Sequence, residues 1–136
     1  MLIDTNVWSE LLRKQPSDAV VAFIDARWSE LYLSSIVVAE MEYGLAKLSE
    51  LPRKRQLRAF IDDLTTRCEG RILAVDLKTA AIFGQTKARL RAEGRPIAEL
   101  DMLIAAQSIA ADMPLVTRNL SDMARTGATI IDPWQA

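Results

Sequence analysis

The chain has 136 residues, 50% hydrophobic and 26% charged, which fits one globular domain over residues 1–136 with room for a sheet covered by helices. Its formal net charge of −1 lacks the basic excess of many dedicated nucleic-acid binders, so global charge argues neither for RNA nor against it. No apolar stretch approaches the ~20 residues of a membrane span, the first residues lack a signal peptide's basic region, and the lone cysteine, Cys68, excludes an internal disulfide framework, all of which predicts a cytoplasmic protein.

Leu2-Ile3 reads as a short buried strand ended by Asp4-Thr5-Asn6, residue types suited to a turn and to capping the helix that follows. The second helix starts after Pro16 with Ser17 as cap and turns Val20, Val21, Phe23 and Ile24 inward. Leu31-Tyr32-Leu33 is the next strand. Ser34 or Ser35 then caps a helix from about Ile36 to Leu48, with Val37, Met41, Leu45 and Leu48 at three- and four-residue spacing and Glu40 at the border of that face. Another helix runs from about Pro52 to Cys68 on the stripe Leu57, Phe60, Ile61 and Leu64, and Gly70 stops it. Ile72-Leu73-Ala74-Val75 reads as a strand, Asp76 to Ala92 as a long helix ended at Gly94, and Glu99 to about Ala111 as an alanine-rich helix buried on most sides. Leu115-Val116-Thr117 and Thr129-Ile130-Ile131 complete five strands, with a brief helix from Leu120 to Arg125 between them.

Strands separated by helices imply parallel pairing through right-handed crossovers, hence a three-layer α/β/α sandwich on a five-stranded parallel sheet. Ligands of such sheets gather at the carboxyl ends of the strands, where strand order switches direction. If the first and fourth strands are neighbours there, Asp4, Thr117, Asn119 and Asp122 share one pocket.

Histidine is absent and cysteine occurs once, so the usual nitrogen and sulfur ligands of zinc are missing, as are imidazole bases for a serine or cysteine nucleophile. Four acids, Asp4, Glu40, Asp101 and Asp122, stand instead where elements begin or meet. They suit magnesium or manganese held by oxygen ligands. Taken singly, each has a plainer reading: Asp4 and Asp122 as turn residues, Glu40 as a helix-boundary residue, Asp101 as a helix-start cap among Leu100, Met102, Leu103 and Ile104. Those readings explain the residues separately but not their convergence. The basic clusters, Arg53-Lys54-Arg55 with Arg58 and Lys87, Arg89, Arg91 and Arg95, read first as solvated helix faces, with phosphate binding by one of them as the alternative. Trp8, Trp28 and Trp134 read as core-edge or subunit-contact residues, since no basic residue is interleaved closely with Trp8 or Trp134. Met41, Tyr43, Leu45 and Leu48 together suggest an apolar helix face.

In order along the chain, Ile3-Asp4-Thr5-Asn6, Glu40 within Val37-Val38-Ala39-Glu40, Gly94-Arg95-Pro96-Ile97 leading to Asp101 and Ile104-Ala105-Ala106, and Leu115-Val116-Thr117-Arg118-Asn119 followed by Asp122 resemble the PIN-domain ribonucleases. Within them the chain is most similar to the VapC and FitB toxins of bacterial toxin–antitoxin pairs, and the likeness runs on to Pro133-Trp134. This resemblance implies an endoribonuclease dependent on Mg2+ or Mn2+, acting on RNA as a homodimer, silenced by a cognate antitoxin and meeting DNA only through that antitoxin. Asp4, Glu40 and Asp101 match the family's recurrent acidic ligands, and Asp122 its less constant fourth. Thr117 and Asn119 match the polar pair that orients water and ligands.

Departures from the pattern are modest. Asn119 stands where many such nucleases carry an aspartate, which would lower occupancy of a second metal ion; Met123 replaces a common aromatic residue and Asp132 an asparagine. The resemblance favours the apolar face of the third helix as a dimer contact or an antitoxin seat. A different class of function is a catalytically weak, partner-binding subunit of an antitoxin-dependent DNA-binding repressor complex. A phosphotransfer receiver fits less well because Asp4 lacks a paired acid, and a dehalogenase-like phosphatase because Asn6 occupies the place of its second acid.

Overall fold

The computed structural model describes residues 1–136. Five parallel strands, β1 (Leu2–Ile3), β2 (Tyr32–Ser34), β3 (Ile72–Leu73), β4 (Leu115–Val116) and β5 (Ile130–Ile131), lie in the order β3-β2-β1-β4-β5. They are joined by α1 (Thr5–Glu10), α2 (Asp18–Arg27), α3 (Ser35–Lys47), α4 (Leu51–Arg67), α5 (Leu77–Ala92), α6 (Glu99–Ala110) and α7 (Leu120–Ala124), in the α/β sandwich that the alternating pattern predicts. Strand order reverses between β1 and β4, whose register pairs Leu2 with Leu115 and Ile3 with Val116. That pair is the switch point.

Short strands suffice because both faces of β1 and β4 are covered: Leu2, Ile3, Leu115 and Val116 are fully buried and join one core with Trp8, Leu31, Leu33 and Ile104. The core is anchored by Trp8, fully buried and set edge-on to Trp28 at 6.1 Å between ring centres. Trp8 is thus a central core residue rather than a core-edge one. Trp134 stays half-buried, and the Arg118 guanidinium lies 5.0 Å from its ring centre. That partner comes from just beyond the end of β4, sixteen positions earlier in the sequence.

Local signals set most element boundaries. Ser34 Oγ accepts from the Ile36 N–H at 3.0 Å and Asp76 Oδ1 from the Thr79 N–H at 2.8 Å, capping α3 and α5. Ser17 precedes α2 without a side-chain cap bond; its N–H donates to buried Glu10 Oε1 at 2.9 Å and so fixes the α1–α2 turn. Gly70 and Gly94 take φ of +81° and +69°, the left-handed conformation that ends α4 and α5.

Three expectations are trimmed. Pairing of β3 stops at Leu73, opposite Ser34, because β2 gives way there to α3, and Ala74 and Val75 are left exposed. On α3, Met41 points into the core whereas Tyr43 is 65% exposed beneath the Lys47 ammonium, so the two do not share one apolar face. Leu100 of α6 is also exposed, while Met102 and residues 104–108 are buried.

Candidate active site

The carboxyl end of β1 delivers Asp4 into a buried polar junction. Its Oδ1 accepts the Thr5 N–H at 2.7 Å, which makes Asp4 the cap of α1 as well. Its Oδ2 accepts the Thr117 hydroxyl at 2.7 Å and the Asn6 side-chain amide at 3.1 Å. Asn6 Nδ2 also donates to Thr117 Oγ1 at 3.2 Å, and Asn6 Oδ1 accepts the Arg118 N–H at 3.1 Å. Thr117 Oγ1 accepts the Asn119 N–H at 3.0 Å. The ends of two neighbouring strands are therefore laced together around one carboxylate, as pairing of β1 with β4 requires.

Glu40 enters from the second turn of α3 and accepts the Thr5 hydroxyl at 2.8 Å. Asp101, in the first turn of α6, and Asp122, on α7, are both half-buried. Burial and then the negative charges of Asp4, Glu40 and Asp122 raise the Asp101 carboxyl from its ordinary 3.8 to about 6. Asp4 is likewise pushed upward by burial, against the hydrogen bonds from Thr117, Thr5 and Asn6. The acids thus face one another within Coulombic reach, although no three of them are drawn together into a closed coordination shell. Arg125 approaches Asp122 at 3.6 Å, so this acid already has a partial counter-charge.

An all-oxygen donor set that raises a member's pKa is one a hard divalent cation would relieve. The set fits Mg2+ or Mn2+ by donor chemistry: carboxylates only, with neither histidine nor cysteine at hand. Its position matches the general rule for parallel sheets, at the carboxyl ends of strands beside a reversal of strand order.

The PIN domain model matches residues 1–128. The chain belongs to the PIN-domain family. It is 35% identical over 137 residues to the VapC ribonuclease Y4jK of Sinorhizobium fredii, covering 99% of this chain and 98% of that one. It is also 35% identical to Toxin FitB of Neisseria gonorrhoeae, with 98% of each chain covered. Among solved structures, FitAcB from Neisseria gonorrhoeae superposes with a TM-score of 0.91 at 34% identity over 99% of both chains.

As a PIN domain, the chain brings five of its six sequence-predicted site residues into one hydrogen-bonded or charge-coupled group by their side chains: Asp4, Glu40, Asp101, Thr117 and Asp122. Asn119 joins through its backbone, and its side chain makes no cap bond to α7. Two contributors stand outside that set. Thr5 positions Glu40, and Asn6 bridges Asp4, Thr117 and the Arg118 backbone. Their polarity and their place directly after Asp4 were visible in the sequence, where both also satisfy the requirements of a turn.

Proposed function

We propose that this chain is an endoribonuclease dependent on Mg2+ or Mn2+, the toxin of a toxin–antitoxin pair, which hydrolyses RNA phosphodiester bonds. One observation carries the reading: Asp4, Glu40, Asp101 and Asp122 converge beside the β1–β4 reversal in a chain without histidine. The relatives named as a VapC ribonuclease and as Toxin FitB support the substrate class and the toxin role.

Asp4 and Asp101 would hold the ion, with Glu40 as a further ligand or the base and Asp122 at the edge. A bound divalent cation supplies charge neutralisation at the phosphoryl oxygens and eases ionisation of the attacking water near neutral pH. The protein's own contribution is positional. Thr117 and Asn6 occupy Asp4 Oδ2 from one side and fix the carboxylate plane. The Thr5 hydroxyl holds Glu40 Oε1, which orients the free oxygen of Glu40 to accept a proton from water. In the metal-free protein the Asp101 carboxyl ionises at about 6, so a cation would bind more tightly as pH rises through that value and the proton no longer competes for the carboxylate.

A homodimer and a cognate antitoxin complete the reading, with DNA reached only through the antitoxin. The discriminating experiment maps new RNA 5′ ends after brief induced expression of the wild type beside folded Asp101→Asn. Discrete ends with the wild type alone are expected. Identical profiles from two soluble, folded proteins would refute the nuclease and leave the partner-binding subunit in front.

A further inference from the structure

Four cations on the long helices, Arg58, Arg67, Lys87 and Arg89, have carboxylate partners. Arg58 donates to both Glu42 oxygens at 2.7 and 2.9 Å and lies 2.9 Å from Asp62, Arg67 pairs with Asp63 at 3.7 Å, and Arg89 with Glu93 at 3.5 Å. These are internally paired helix faces. The start of α4 differs. A cavity of about 900 Å³ between the end of α1 and the first turns of α4 is lined by Ser9, Leu12, Arg13, Lys14, Arg53 and Gln56. No acid lines it, and neither Lys14 nor Arg53 has a carboxylate within ion-pair distance. Arg13 lies 3.2 Å from Glu10, whose other oxygen is held by the Ser17 N–H, and the Arg13 side chain remains 62% exposed.

This concentration of positive charge sits in a chain of net charge −1. Ser9 stands four residues after Thr5 on the same face of α1, about 6 Å along the axis. The Thr5 hydroxyl is bound to Glu40. The edge of the cavity at Ser9 therefore lies about one helical turn from Thr5, the residue that holds Glu40. A stacked strand carries one phosphate per ~3.4 Å of axis, so that turn corresponds to about two phosphates.

We propose that this cavity binds backbone phosphates of the RNA strand whose scissile bond lies over the carboxylates; the proposal rests on the ribonuclease reading above. The carboxylates repel a polyanion, so affinity has to come from cations beside them. Arg13 and Arg53 offer forked donors to phosphate oxygens, Lys14 a point charge, and Ser9 and Gln56 neutral donors. Contacts of this kind position a strand and carry no base specificity.

The test uses the full-length protein and a labelled single-stranded oligoribonucleotide of mixed sequence, with binding followed by fluorescence anisotropy without divalent ions. Lys14→Gln/Arg53→Gln is expected to bind roughly tenfold more weakly at about 0.1 M salt, with a log–log salt slope shallower by about 1–1.5. Arg27→Gln/Lys78→Gln, which removes two charges that do not line the cavity, serves as the control. In cleavage assays with Mn2+, the cavity variant should show KM raised roughly tenfold and kcat within about twofold of wild type.

Equal weakening in both variants, or in neither, overturns the proposal. So does unchanged RNA affinity with lost binding of poly-glutamate, which would assign the cavity to an acidic polypeptide. Wild-type protein that binds RNA through these cations yet never cleaves it keeps the subsite and refutes the ribonuclease reading instead.

Discussion

Replacing Asp101 by asparagine should stabilise the metal-free protein while abolishing RNA cleavage. Asp101 ionises at about 6 rather than 3.8, because burial and the charges of Asp4, Glu40 and Asp122 oppose its carboxylate. Between those two values the folded protein binds more protons than the unfolded chain, so stability falls as pH rises from about 4 to about 6 and is level above. The rise from 3.8 to about 6, discounted for partial exposure of Asp101, corresponds to ~1–2 kcal/mol. A neutral carboxamide at this position avoids that cost. In urea unfolding with EDTA at pH 7.5, the variant should therefore exceed wild type by about 1–2 kcal/mol, or ~4–8 °C in Tm for a chain of this size. At pH 4 the difference should vanish. Saturating Mn2+ at about 100 times its Kd should stabilise wild type by ~2.7 kcal/mol and the variant far less, which reverses the order of stability. A variant no more stable than wild type at pH 7.5, or equally more stable at pH 4, would refute repulsion among these carboxylates.

Thr117→Val removes the hydroxyl that donates to Asp4 and accepts from Asn6 and Asn119, so urea unfolding should show a loss of about 1–3 kcal/mol, together with reduced cleavage. Thr5→Val should leave stability within about 1 kcal/mol and lower kcat rather than raise KM, because it releases Glu40 without touching the strand junction. Trp8→Ala should cost ~3–5 kcal/mol by calorimetry or urea unfolding, since it empties a fully buried site packed against Trp28. Gln107→Leu leaves the Ser34 hydroxyl and the Leu73 carbonyl without their partner in the core and should cost about 1–3 kcal/mol, with Mn2+ affinity measured by calorimetric titration unchanged.

Residue order alone was enough to predict the alternation of strands and helices, the parallel sheet and the chemistry available to its site. Hydrophobic periodicity and caps such as Ser34 and Asp76 act over a few residues, so they can be read locally. Absence of histidine, a matter of composition, left oxygen ligands as the candidates. The position of Asp4 directly after β1 even made its pocket predictable on one condition, that β1 and β4 be neighbours, and they are.

Which groups meet across long stretches of chain is settled by folding. Thr117 reaches Asp4 over 113 positions and Thr5 reaches Glu40 over 35, and neither pairing has a local signature. The same holds for charge. Arg53 and Arg58 look alike in one basic run, yet helix packing brings Glu42 of α3 to Arg58, beside its own i,i+4 partner Asp62, and leaves Arg53 with no carboxylate. Arg118 meets Trp134 for that reason as well, whereas Met41 parts from Tyr43 by local geometry, since residues two apart on a helix point to different faces. Periodicity fixes which face of an element is apolar, but what that face or a charge finds opposite depends on sheet order and helix packing, which no local window contains.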